Sequence, residues 1–192
     1  MKVIEQEIHS LKNSISEMWA LVHQQLYNAG EAMLTGDKEL AYKVISRERR
    51  VNAFELKIDS DCEDIIALYA PVAIDLRFVL AMYKINTNLE RLGDFAESIA
   101  RFAGNLPEGE PIDPQLVKET RVEEMLSELL SMISLTKEAF EKESSEIASR
   151  IFLKDNLIDE INHNSTAIIA KYIEEHKGSA LAGLYKIGRA HV

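Results

Sequence analysis

The chain has 192 residues, 46% of them hydrophobic and 28% charged, enough for a real core and too apolar for an intrinsically disordered chain. With 22 Lys and Arg against 32 Asp and Glu, the net charge of −10 repels a nucleic-acid backbone. Only eight Gly and four Pro are present, fewer than most sheet folds of this length need for their turns, so the composition points to an all-α protein.

The N-terminal run Met1-Lys2-Val3-Ile4-Glu5-Gln6-Glu7 carries charges where a signal peptide needs an apolar stretch. Ile4, Ile8, Leu11, Ile15, Met18 and Val22 then step by four and three, the seam of an antiparallel bundle. Gly36-Asp37 ends this first helix. Val44, Val51, Ile58 and Ile65 repeat every seven residues in the second. Within it, Arg47-Glu48-Arg49-Arg50 is the densest basic run; an acid interrupts it, and it reads as a solvated face. Cys62 is the single cysteine, which suits a reducing compartment and a buried structural thiol. Ala70-Pro71 breaks the chain again, with Pro71 expected in the first turn of the third helix. Val79, Met82, Leu89, Ala96, Ile99 and Ala103 form that helix's apolar stripe.

Residues 104–114 hold the only linker-like segment, rich in Gly and Pro. On either side lie halves of similar plan. Glu48-Arg49-Arg50-Val51-Asn52 matches Asp155-Asn156-Leu157-Ile158-Asp159, and Tyr83-Lys84-Ile85 recurs as Tyr185-Lys186-Ile187. The expected fold is two tandem three-helix bundles: a repeat over 1–103, a linker over 104–114, and a repeat over 115–192 that is incomplete at its C-terminus. In that register the sixth helix is short. The terminal residues Ile187 to Val192 are read either as a natural end or as a sequence cut short. A missing helix would leave Leu126, Leu129, Ile133, Ile158, Ile161 and Ile169 exposed and let the chain self-associate as a homo-oligomer.

Three carboxylates on the third helix stand out. Glu90, Asp94 and Glu97 lie at i, i+4 and i+7 and project from one face. Like charges so placed repel unless a cation sits between them, and hard oxygen donors suit Mg, Mn or Fe. The alternative is ordinary helix salt bridging to Arg91 or Arg101. Gly93 lies between the first two acids and costs about 1 kcal/mol against Ala inside a helix. Two physical reasons could justify that cost: an ion cluster, or close packing by a neighbouring helix. Glu160-Ile161-Asn162-His163 has the Glu-x-x-His spacing of ferritin-like di-iron sites, so a di-iron oxidoreductase is the alternative function; such sites need two copies of the motif, and one occurs. No phosphate loop, Ser/His/Asp nucleophile pattern or Cys/His zinc spacing is present, and nothing positive argues for catalysis.

The stretch Ala70-Pro71-Val72-Ala73-Ile74-Asp75-Leu76-Arg77, with Leu89-Glu90-Arg91-Leu92-Gly93-Asp94-Phe95-Ala96 after it, closely resembles the PhoU family of phosphate signalling proteins. The run Glu48 to Glu55 also resembles that family, with Glu48 where Asp is more usual. The resemblance spans nearly the whole chain. It implies a cytoplasmic, metal-binding regulator, not an enzyme, that meets the membrane only through its partners. Those partners are the phosphate-specific ABC transporter and the phosphate-sensing histidine kinase, with no nucleic acid among them. The implied cofactors are iron, manganese or zinc ions, or else magnesium, held by Glu/Asp-x-x-x-Asp pairs, one pair per repeat. Glu90 and Asp94 match the first pair. The second belongs on the sixth helix, which this sequence does not reach; Asp155 and Asp159 have the spacing but align with the preceding helix.

Overall fold

The computed structural model describes residues 3–107 and 111–176, which are helical throughout with short breaks. Three long helices come first: α1 (Val3–Thr35), α2 (Lys38–Tyr69) and α3 (Ala73–Gly104). Each is about 50 Å long at 1.5 Å per residue. After the linker come α4 (Pro114–Thr120), α5 (Val122–Glu141) and α6 (Ser145–Glu175). The all-α fold follows the reading of the sequence. The repeat of Tyr83-Lys84-Ile85 and the expected short final helix lie outside the described residues.

Local chemistry sets the helix ends. Gly36 takes φ +71°, the left-handed conformation that closes α1 at little cost. Asp37 accepts a hydrogen bond from the Leu40 backbone N–H at 2.9 Å and so opens α2. Asp113 caps α4 with Pro114 behind it, and Ser144 caps α6. The α2–α3 corner differs from expectation. Pro71 lies ahead of α3 and is buried, Val72 is the N-cap residue, and α3 starts at Ala73. Ala70 and Ala73 both take positive φ, 44° and 47°, so the chain reverses through two left-handed alanines with the buried proline between them.

The three long helices close one core. Leu11, Ile15, Met18 and Val22 from α1 meet Val44, Val51, Ile58 and Ile65 from α2 and Val79, Met82, Leu89 and Ala96 from α3, all buried. Burying aliphatic side chains of this size contributes about 1.5–3 kcal/mol each, and this stripe-on-stripe seam holds the first half. Two amides are buried within it. Gln25 Nε2 donates to the Val44 carbonyl at 2.8 Å, tying α1 to α2, and Asn86 ties α3 to α2.

The second half is thinner. Its first helix is split at Arg121, which takes φ +53°, into α4 and α5, so the six described helices include two that together make one long element. Arg121 bonds Glu124 within α5 and reaches Glu160 on α6 at 2.9 Å. Among the described residues α5 buries only Ala139 and α6 only Ile161. The apolar face of α5 is not left open to solvent along its length, as the truncation reading expects. Leu126 packs directly on Gly30 of α1, and Ile133 packs on the first-half core. Trp19 Nε1 donates to the Ile133 carbonyl at 3.2 Å, and its ring stacks on Phe140. α1 thus serves both halves, because its apolar residues cover more than one face. Ile161, expected to be exposed, is 2% exposed, whereas Leu129 is exposed.

Candidate functional site

α2 and α3 run antiparallel, and two contacts fix their register. A Cβ added to Gly93 would lie 2.8 Å from Val51 Cγ1, so only glycine lets the helices approach this closely. This settles why glycine stands between the two acids: close packing by α2 requires it. Seven residues earlier on α3, the fully buried Asn86 donates from Nδ2 to the Glu55 carbonyl at 2.9 Å and to Asp59 Oδ1 at 2.7 Å. Its own Oδ1 is buried without a partner.

Between those two contacts the register sets carboxylates of α2 against those of α3. Glu90 is half-buried, and Asp94, one turn on, is exposed. Partial burial pushes the Glu90 carboxyl above the usual carboxylate range; the negative charges of Asp94, Glu55 and Glu48 push the same way, as does its hydrogen bond with Asp94. Like charges one turn apart repel, and a cation set between them relieves that repulsion. Glu48 is held in turn by the Asn52 amide. Glu97 stands apart from this group: it accepts from Arg101 at 2.6 Å, the salt bridge anticipated as the alternative for this face.

The sequence reading singled out Glu90, Asp94 and Glu97. The structure keeps the first two in contact, adds Glu55 and Glu48 from α2, and brings Asp59 up against Asn86. Glu55 and Asp59 carry the same i, i+4 spacing as Glu90 and Asp94, which was a usable signal. Only the antiparallel register shows that Glu55 and Glu48 of α2 lie near Glu90. Among the described residues no three His, Cys, Asp or Glu side chains are drawn close enough to enclose an ion. The carboxylates set against Glu90 are all hard oxygen donors and repel one another, which is the donor chemistry a hard cation takes.

Other candidates are accounted for locally. Glu160 of the Glu-x-x-His motif is paired with Arg121, and His163 is exposed, as are Asp155 and Asp159. Burial pushes the Cys62 thiol up to about 12, helped by Asp59, Asp61 and Glu63, so it is a poor nucleophile. An apolar cavity of about 330 Å³ lies between α1, α3 and α5, floored by Leu26, Leu92, Phe102 and Leu130. No described helix is long and apolar enough to cross a membrane.

Residues 15–103 and 122–189 match the family model described as PhoU domain. A phosphate-specific transport system accessory protein PhoU homolog of Aquifex aeolicus is 33% identical over 171 residues, covering 88% of this chain and 75% of that protein. The crystal structure of PhoU from Pseudomonas aeruginosa superposes with a TM-score of 0.88 at 26% identity, over 97% of this chain and 88% of the other. That of the phosphate transport system regulatory protein PhoU from Streptococcus pneumoniae gives 0.82 at 28% identity, over 97% and 87%.

Proposed function

The chain belongs to the PhoU family, and on that premise we propose that it is an accessory regulator of a phosphate-specific transport system. In this reading it docks on the cytoplasmic side of the phosphate ABC transporter and on a phosphate-sensing histidine kinase. There it restrains uptake and kinase output when phosphate is plentiful. One observation carries the proposal: the family model matches both halves of the chain, not one isolated motif. A helical scaffold with long exposed faces and no described catalytic constellation suits an adaptor, whose work is to hold two partners in a defined geometry.

The proposal includes a metal ion on the α2–α3 face. Glu90 and Asp94 would hold it, with Glu55 and Glu48 supplying further oxygen from α2. An ion there would supply positive charge that offsets the repulsion among these carboxylates and ties the two helices together. The Glu90 carboxyl, raised above the usual carboxylate range, must be ionised to hold a cation, so uptake is expected to weaken as pH falls.

The test is reconstitution. The full chain and the purified transporter in nanodiscs should associate more tightly with phosphate present than without, and the chain should lower the transporter's ATP hydrolysis under the same conditions. A deletion strain should express phosphate-starvation genes in rich phosphate. No association with the transporter, together with unaltered expression in the deletion strain, would overturn the regulatory reading.

A further inference from the structure

We propose that the corner between α2 and α3 is the surface on which the membrane partner docks, and that it takes a basic, amphipathic cytoplasmic segment of the transporter. The inference rests on the regulatory reading above and gives that reading a contact surface; it is independent of the metal ion.

Exposed apolar side chains mark the place. Leu68 at the end of α2, Val72 at the corner and Ile74 in the first turn of α3 are 72%, 73% and 79% exposed. A solitary aliphatic residue in water is ordinary, but three within one short stretch of chain make a patch. The backbone there is held against its preference, since an L-residue keeps the left-handed φ of Ala70 and Ala73 only under constraint. Pro71 is buried between them while Val72 and Ile74 face water. A turn that served packing alone would put the β-branched side chains inside. Beside Ile74 lies a groove of about 710 Å³ lined by α1, α3 and the end of α5, with Ile8, Phe78 and Phe140 among its apolar residues. Ridge and groove together suit a helix that presents an apolar face.

Charge selects the partner. From Ile58 to Tyr83 the chain carries five acids, Asp59, Asp61, Glu63, Asp64 and Asp75, against one base, Arg77. Asp61 is paired with Lys57, whereas Glu63, Asp64 and Asp75 are exposed and make no ion pair among the described residues. Asp64 lies one turn before Leu68 on the same helix face. In the groove, Lys12 is taken up by Glu143 at 3.1 Å, and Glu5 and Asp75 line it alongside Arg77 and His9. Such a patch repels an anionic lipid surface, and a second copy would bring the same acids together. Short cytoplasmic loops of membrane proteins carry an excess of Lys and Arg, so a loop that reaches the corner is cationic. Phe152 and Leu153 on α6 supply a control within the same molecule. They are equally exposed, but Arg150 and Lys154 balance Glu146 and Asp155 around them. If exposure alone selects the partner, the two patches are equivalent; if charge does, they are not.

The experiment is binding of the full chain to the purified transporter in nanodiscs, with phosphate present, at low and at moderate salt. Val72→Ser combined with Ile74→Ser is expected to weaken association about tenfold or more, as loss of central apolar anchors does. Glu63→Gln combined with Asp64→Asn should weaken it about three- to tenfold at low salt and flatten the fall in affinity that added salt causes in wild type. Phe152→Ser combined with Leu153→Ser should leave affinity and salt dependence unchanged. Circular dichroism and melting check that each variant is folded; Leu68→Ser, from the α2 side of the same patch, replaces the corner variant should that one unfold. A wild type that does not associate with the transporter overturns the docking reading and this inference with it. A wild type whose binding survives the corner variant, is lost in the α6 variant instead, or keeps its salt dependence without Glu63 and Asp64 overturns this inference alone. So does equal binding to nanodiscs of the same lipids without transporter, or a self-association that the corner variant abolishes, because the patch then serves lipid or a second copy.

Discussion

Glu90 shows how one side chain can couple fold stability to pH. Its folded pKa is raised above the ordinary 4.5 by burial and by Asp94, Glu55 and Glu48. Between the ordinary and the raised value the folded chain therefore holds more protons than the unfolded one. Stability from this group is complete below about pH 4.5 and is lost as pH rises through the raised folded value. Glu90→Gln removes that loss. Without metal, the variant is expected to melt higher than wild type near neutral pH and to converge with it in acid; thermal melts in chelator at both pH values check this, and an advantage independent of pH would show that the charge is not felt. Gly93 makes a second residue-scale prediction. On helix propensity alone, Gly93→Ala should stabilise α3 by about 1 kcal/mol. The contact with Val51 opposes this, because a β-branched side chain in a packed seam has little room to turn away. The expected result is a net loss of about 1–3 kcal/mol in urea unfolding, recovered in part by adding Val51→Ala.

Among the elements, the α1–α5 contact joins the halves. Gly30 lies under Leu126, and Trp19 bonds the Ile133 carbonyl and stacks on Phe140. Lys12 pairs with Glu143 at the same seam, at 3.1 Å. Gly30→Ala pushes a methyl group into Leu126. The leucine end is flexible, so the effect should be local: α5 shifts off α1 while the first-half core stays intact. Trp19 is the only tryptophan, and its fluorescence reads the outcome. A red shift in Gly30→Ala, reversed by adding Leu126→Ala, is expected; an unchanged spectrum would mean that Leu126 does not set the distance between these helices.

The whole molecule is unevenly stabilised. The contiguous core belongs to α1, α2 and α3, whereas α5 and α6 bury one residue each among those described. Amides of α6 are therefore expected to exchange faster than those of α2, since opening free energies follow local burial. Cys62 gives an independent clock. It is 1% exposed with its thiol pushed up to about 12, so it reacts with a thiol reagent only when the first half opens. In mild urea, α6 should exchange while Cys62 stays unlabelled. Coincident loss of protection and onset of labelling would mean that both halves unfold as one unit.

The sequence by itself determined the first half almost completely. Most of the α1 seam, the heptad row of α2 and most of the α3 stripe are buried, with Ile4, Ile8 and Ile99 only partly so, because a 3.6-residue period gives a long amphipathic helix one apolar face to turn to its neighbours. The helix end at Gly36-Asp37 was equally legible, since capping is local chemistry. The Glu90–Asp94 pair could also be read, because i, i+4 spacing needs no partner helix to be seen. Only the tertiary structure decided what the pair meets. Which α2 residues lie opposite Glu90 depends on register, and register is set by the Val51–Gly93 contact and the Asn86 amide, interactions between residues 27 to 42 positions apart that no local period encodes. The split of the second half's first helix at Arg121 was hidden for a related reason: no Gly or Pro marks it. Nor could the pattern show that α5 would cover itself on α1, because a helix with apolar residues on more than one face does not say which face takes which partner until the chain is folded.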